Sequence, residues 1–299
     1  VDTRRSRGDA IPAPLLVLGG IVSVQFGGAL AATLVPAIGA GGSVVLRLLF
    51  ATAILLVVVR PRWRGHSRTA WLTVGAFGLA LGLMNFTFYG SLAHLPIGVA
   101  VTIEFIGPLL LAAVLSRRLW DFVAVGGAAV GVVLIAEVLH TPLADLSLVG
   151  IGLALAAGAC WAAYILLSGR TGREFPHLDG LALAMVVATV ATLPFGITSV
   201  PSWDGTILAK GLGIAVLSSV LPYSLELLAL RRMAAAVFGI LLSLEPAVAA
   251  LAGLLVLGQR LGPLQLVGMA LVVAASAIIM GAARRDPDEM PSDLTETGG

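Results

Sequence analysis

Apolar runs of about twenty residues, broken by short polar punctuation, set the pattern of this chain. A helix needs roughly 20 apolar residues to cross a hydrocarbon core of about 30 Å. The pattern predicts ten spans: 13–34, 41–59, 70–91, 96–115, 121–139, 147–169, 179–198, 207–229, 236–257 and 262–282. Turn-forming residues separate them, as at Pro36-Ala37-Ile38-Gly39, Arg60-Pro61 and the stretch from Val200 to Gly205. The runs are apolar on every face. They are also longer than the alternating strands, roughly 10 residues each, of a membrane barrel. The expected fold class is an all-α membrane protein with ten transmembrane helices.

Composition strengthens this. Of 299 residues, 59% are hydrophobic and 11% charged, and the mean hydropathy is +1.03. A soluble domain is about 45–50% apolar and about 25% charged, so most of this chain belongs in lipid or in a lipid-facing bundle. Charge then orients it. With the N-terminus in the cytoplasm, Arg4, Arg5, Arg7, Arg60, Arg62, Arg64, Arg68, Arg117, Arg118, Arg170, Arg173, Arg231, Arg232, Arg284 and Arg285 lie inside. These are 15 of the 18 basic residues. Lys210 and Arg260 fall outside and Arg47 within a span. Such a bias in short loops is the positive-inside pattern, and its recurrence at every cytoplasmic loop supports the count as well as the orientation. The basic balance is therefore a topology signal, and no nucleic-acid partner is expected. A basic start, an apolar run and Ala29-Leu30-Ala31 also match a cleaved signal peptide. The length of the run and Gln25 within it favour a retained span. Residues 1–12 are expected to be a cytoplasmic segment. Residues 283–299, with Asp286, Asp288, Glu289, Asp293 and Glu296, read as a disordered cytoplasmic tail.

The halves 13–139 and 147–282 resemble each other. Adding 138 to Leu92-Ala93-His94-Leu95-Pro96-Ile97-Gly98-Val99 reaches Leu230 to Val237, and Pro108 meets Pro246 at the same offset. Further on the offset becomes 142, where Leu119 meets Leu261 and Gly126 meets Gly268. Chance likeness between apolar helices is the competing account. Parity favours a repeat: five spans per half is odd, so the halves insert in opposite orientations. Two inverted five-helix repeats are a recurring build of secondary transporters, with the substrate site near the midplane between them.

Ionisable groups inside a span are costly and usually face a cavity or a partner. Arg47, Glu104, Glu226 and Glu245 stand out. Glu104 and Glu245 lie near the middle of the fourth and ninth spans, and Glu226 nearer the cytoplasmic end of the eighth, close to Arg231 and Arg232. Prolines accompany them. Pro108 has no N–H to offer the carbonyl of Glu104, and Pro246 follows Glu245 directly. A buried arginine forks onto a carboxylate, and a buried glutamate neutralises an ammonium or carries a proton. Arg47, Glu104 and Glu245 thus form a candidate zwitterion site, and Glu104, Glu245 and Glu226 are proton-coupling candidates. The alternative is an internal Arg–Glu pair that only holds helices together. Gln25, Asn85, Thr87, Tyr89, Trp161 and Tyr223 are further candidates for lining a substrate path; interhelical hydrogen bonding accounts equally well for the first four, and Trp161 lines the path or packs in the core. Gly78 with Gly82, and Gly127 with Gly131, have the spacing of close helix packing.

Other chemistries find little support. Cys160 is the single cysteine, sits in an apolar run, and reads as a small core residue. His66, His94, His140 and His177 fall far apart in loops, so no metal is expected. Neither HExxH nor GxSxG occurs, which argues against an intramembrane enzyme, and no GxxxxGK[ST] loop is present to bind ATP. No cofactor is expected.

The chain resembles the drug/metabolite transporter superfamily, of EamA type, and within it the bacterial threonine/homoserine exporter group. The likeness runs through Ser23-Val24-Gln25-Phe26-Gly27-Gly28, Leu46-Arg47-Leu48, GLMNFTFYGSLAHLPIGVAVTIEFIGPL at 82–109 and SRRLWDF at 116–122. In the second half it covers GACWAAYIL at 158–166, LPYSLELLALRRM at 221–233 and LLSLEPAVAALAGLLVLGQRL at 241–261. It implies proton-driven efflux of small amino acids such as threonine and homoserine across the bacterial cytoplasmic membrane. Export of amphiphilic drugs or other metabolites is the alternative. The family often carries an acid where this chain has Gly258-Gln259-Arg260, so any role of that acid does not transfer.

Overall fold

Apolar segments in lipid must satisfy their own backbone hydrogen bonds, and helices do this locally. The computed structural model describes residues 11–95, 97–116, 119–135, 147–248, 251 and 262–285. Among these there is no strand. The helices are α1 (Ala13–Ala32), α2 (Val35–Val59), α3 (Arg68–Leu92), α4 (Ile97–Leu115), α5 (Leu119–Ile135), α6 (Leu148–Glu174) and α7 (Asp179–Gly196). There follow α8 (Gly205–Leu230), α9 (Ala235–Leu242, resuming to Val248) and α10 (Pro263–Arg285). Five stretches are long and apolar enough to cross a membrane: Val35–Val59, Arg68–Ser91, Leu148–Glu174, Asp179–Ser202 and Gly205–Leu230. The other five helices carry shorter apolar stretches over the described residues.

Local chemistry explains the ends. Ser67 accepts from the N–H of Ala70 at 3.1 Å to start α3, and Asp204 accepts from Ile207 at 2.8 Å to start α8. Arg60 closes α2 in the left-handed region. Several elements depart from the sequence pattern. Helix α2 begins at Val35, six residues early, but Gly39 at φ +72° kinks it, so the regular stretch starts where the pattern places it. Helix α6 runs to Glu174 rather than 169, which puts Arg170 and Arg173 on its last turns rather than in a loop. Two predicted continuous spans are broken. Helix α8 contains a π turn at Val216–Val220, and α9 is interrupted by a turn at Ser243-Leu244. Pro246, which has no N–H to give, sits just past that turn. Residues 1–10, 136–139 of the fifth span, most of 249–257 of the ninth, Gly258-Gln259-Arg260 and 286–299 lie outside the described residues, while 283–285, expected in the tail, continue α10.

Packing places α2 against α7 and α5 against α10, while α3 lies against both α6 and α7, and α8 against both α1 and α2. Helix α4 packs on α6, and α9 contacts α4 and α1. Glycines permit the closest approaches, as small residues do between membrane helices. A Cβ on Gly107 would lie 1.9 Å from the carbonyl oxygen of Gly158, and one on Gly131 2.7 Å from that of Gly268. Gly78 presses on the carbonyl of Ala184 in α7. Thr52 of α2 and Thr189 of α7 share a hydroxyl hydrogen bond at 2.8 Å. Phe77, Phe105, Tyr164 and Phe238 are fully buried. The outer surface is apolar instead: Val58, Val114, Leu119 and Leu148 are each at least 73% exposed. Water does not favour such a surface, but lipid does.

Candidate functional site

Arg47 lies within the buried stretch Gly42–Leu48 of α2 and is 7% exposed. Its Nη2 donates to Oδ1 of Asn85 on α3. Its Nε is buried and has no hydrogen-bond partner among the described residues. Asn85 is held in turn: Nδ2 donates to the carbonyl of Leu81 at 2.8 Å and, more weakly, to the Tyr223 hydroxyl at 3.5 Å. Tyr223 stands on α8 directly after Pro222 and in the turn that follows the π turn. It lies within electrostatic reach of Arg47, Glu226 and Tyr89. Three elements thus meet at one guanidinium whose main protein acceptor is an amide oxygen, not a carboxylate.

The carboxylates form a second group. Glu226 is buried, one turn beyond Tyr223, and accepts a 2.6 Å hydrogen bond from the Tyr164 hydroxyl of α6. It faces inward, and Arg231 turns away from it to donate to the carbonyl of Phe175 at 2.6 Å. Glu245, half-buried, begins the second piece of the broken α9 and lies within electrostatic reach of both Glu226 and Glu104. Glu104 is buried on α4. Its backbone carbonyl is crowded against the bare Cα of Gly158, where a Cβ would come within 2.6 Å. Pro108 removes the N–H this carbonyl would otherwise accept from, and α6 covers it instead of a cavity.

The remaining candidates divide. Trp161 is buried and packs edge-on against Phe105 at 4.9 Å, one residue from Glu104. Tyr89 is half-buried at the margin, its ring against Phe88 at 5.9 Å. Gln25 is half-buried on α1 and takes no part in the network. Thr87 bonds back to the carbonyl of Leu83 at 2.7 Å, within its own helix. Sequence reasoning missed Tyr164. A buried tyrosine hydroxyl must find a partner, and Glu226 needs a donor; that pairing of needs was the available signal. It also missed the π turn, where Ser23 of α1 donates to the carbonyl of Leu217 at 2.7 Å.

Two further features bound the site. At the ends of α2, α6 and α8, Asp179 accepts from the N–H of Arg62 at 3.2 Å, and His66 stacks on Phe175 at 4.3 Å. These contacts, with Arg231 on Phe175, tie the loops together at that end. An apolar groove between α4 and α6, lined by Ile106, Leu110, Val114 and Leu155, opens on the outer surface away from the charged residues.

An all-helical bundle with an apolar outer surface, a guanidinium and two carboxylates buried inside it and a third carboxylate half-buried is the build of a membrane transporter. Comparison with known proteins identifies which. The sequence profile of the EamA-like transporter family matches residues 148–281. The chain is 40% identical over 283 residues to the threonine/homoserine exporter RhtA of Salmonella typhimurium strain SL1344, covering 94% of this chain and 95% of that one. It is 39% identical over 265 residues to RhtA of Escherichia coli K12, covering 88% and 89%. A solved crystal structure of a protein superposes with a TM-score of 0.68 at 18% identity, over 91% of this chain and 99% of its own, and shares the fold. The chain belongs to the EamA-like transporter family, and it is a multi-pass membrane protein.

Proposed function

We propose that this protein exports small amino acids of the threonine and homoserine kind across the bacterial cytoplasmic membrane, in exchange for protons. The observation that carries the reading is the buried guanidinium of Arg47. Among the described residues its Nε has no hydrogen-bond partner and its Nη2 donates to an amide, while Glu104, Glu226 and Glu245 form a separate group, with Glu245 in electrostatic reach of the other two. A buried charge without a full partner is costly. A zwitterion answers both sides: its carboxylate completes the guanidinium fork and its ammonium meets a glutamate. This fits an amino acid better than an amphiphilic drug. The names of the relatives agree with this substrate class. Three like charges in one site cannot all remain ionised without a cation, so exchange of an ammonium for a proton at Glu104, Glu245 or Glu226 links export to proton entry. The reaction is transport without chemical change, so no enzyme activity or cofactor is invoked.

The same reading takes residues 13–139 and 147–282 as inverted repeats, with ten spans and both termini cytoplasmic. The packing supports it. If α1–α5 correspond to α6–α10, then α3 on α6 becomes α8 on α1, α3 on α7 becomes α8 on α2, and α4 on α6 becomes α9 on α1. All these contacts occur, while α2 with α7, α5 with α10 and α4 with α9 pair with themselves. Helices α4 and α9 begin at Ile97 and Ala235, which is the offset of 138 read from the sequence. The span of the matching family profile, 148–281, also treats the second half as a unit.

Counterflow tests the substrate. Proteoliposomes loaded with unlabelled threonine should accumulate labelled threonine and homoserine transiently, and should do so far less for a bulky lipophilic cation. Accumulation of the lipophilic cation alone would replace this reading with the drug-export one.

A further inference from the structure

Among the buried carboxylates, Glu226 alone has a protein hydroxyl donating to it among the described residues. The bond is 2.6 Å, within the range of about 2.5–2.7 Å for a hydroxyl on a carboxylate. Tyr164 has been built into place for it. The ring is 1% exposed, packed against Phe77 at 5.5 Å and Tyr223 at 5.7 Å. Its hydroxyl makes no other hydrogen bond among the described residues. Tyr223 in turn meets Asn85, and Asn85 meets Arg47. The rings of Tyr164 and Tyr223 therefore stand between the only carboxylate with a hydroxyl donor and the only buried guanidinium of the described core.

We propose that Tyr164 is the positioning residue that fixes Glu226 and sets when it takes up its proton, so that Glu226 answers to the state of the Arg47 site through the Tyr164–Tyr223 contact. The proposal rests on the proton-exchange reading above and deepens it by choosing among three glutamates. The surroundings of Glu226 leave few rival influences. From its own helix come Tyr223 and, further along, Arg231, which is engaged with Phe175. Helix α9 brings Glu245, and α4 brings Glu104 behind it. Helices α2 and α3 bring Arg47 and Tyr89 behind Tyr223. Helix α1 presents only Gly20, where a Cβ would lie 3.8 Å from Glu226 Cγ. Helix α7 carries Asp179 alone, at its first residue, bound to the Arg62 backbone.

A donor hydrogen bond favours the carboxylate over the acid. Tyr164→Phe keeps the packed ring and removes only the donor. The test is an infrared pH titration of the purified protein in lipid, reading the carboxylic-acid carbonyl band that disappears in Glu226→Gln. In Tyr164→Phe the midpoint of this band should move to the alkaline side by about one pH unit. Replacing Tyr164 by 3-fluorotyrosine, which keeps the shape and strengthens the donor, should move it to the acid side. A midpoint unmoved in both variants, or a shifting band that persists when Glu226→Gln is added to them, overturns the proposal. Absence of threonine counterflow in the wild-type protein with the infrared shifts intact would instead overturn the substrate reading and leave Tyr164 in its role.

Discussion

Replacing Arg47 by lysine separates a binding guanidinium from a structural charge. Lysine keeps the positive charge but is a point donor on a flexible stem, whereas arginine presents a planar fork. In the structure one arm of that fork, Nη2, is committed to Asn85, and Nε remains unpartnered. An ammonium at this position must choose between Asn85 and an incoming carboxylate. The substrate therefore loses about one charge-assisted hydrogen bond, worth roughly 1.5–3 kcal/mol. At about 1.4 kcal/mol per tenfold, the KM for threonine rises about 10- to 150-fold. The assay is counterflow over a range of threonine concentrations, with reconstituted protein quantified and its melting temperature recorded. Arg47→Lys should reach the membrane in normal amount and melt close to wild type. A variant with the wild-type KM refutes the binding role. A variant with a lowered melting temperature and unchanged KM assigns Arg47 to the scaffold.

In inside-out vesicles, Glu104→Gln and Glu245→Gln test proton coupling more broadly: loss at a coupling residue should abolish gradient-driven accumulation of threonine while sparing exchange of threonine for threonine. If both retain wild-type accumulation, neither carries the proton and Glu226 is left. Reporter fusions at residues 143 and 290 should read outside and inside; the same side for both would break the ten-span topology. Gly107→Ala should lower the melting temperature in detergent, because its Cβ must push α4 off α6 by about 1.5 Å against backbone atoms that cannot rotate away, at a cost of about 1–3 kcal/mol. Gly152→Ala on α6, where nothing lies within 4 Å of the new Cβ, should leave it unchanged.

Helix placement was legible because lipid imposes one requirement on every span, a sufficient apolar length, and the sequence displays it directly. The fourth span is expected from residue 96 and α4 begins at Ile97, and the turn expected from Val200 to Gly205 precedes α8. The breaks were not legible. A π turn leaves no periodic mark in a run that is apolar on all faces, and Ser218 and Ser219 read as ordinary small residues. Of the site, Arg47, Asn85 and Tyr223 were each visible as polar groups at membrane depth. That they form one chain depends on how α2, α3 and α8 meet, which pattern alone does not encode. The partner of Arg47 is accordingly Asn85 rather than a glutamate. Gln25 shows the converse: polarity within a span marked it out, yet it stands apart from the network.

The wide turn at Val216–Val220 fixes the length of α8 to the residue. A π turn holds one more residue than the α-helix it interrupts, and each residue of an α-helix advances the face by about 100°. Deleting one of these five residues would close the turn into a regular helix and leave the faces beyond it near their places, whereas inserting one would exceed what the turn holds and swing everything beyond it by that angle. Tyr223 would leave Asn85, and Glu226 would leave Tyr164, though neither had been changed. Substitution in this segment is thus a milder event than an insertion, and alleles of this transporter that gain a single codon here should be inactive even where every side chain of the site is kept.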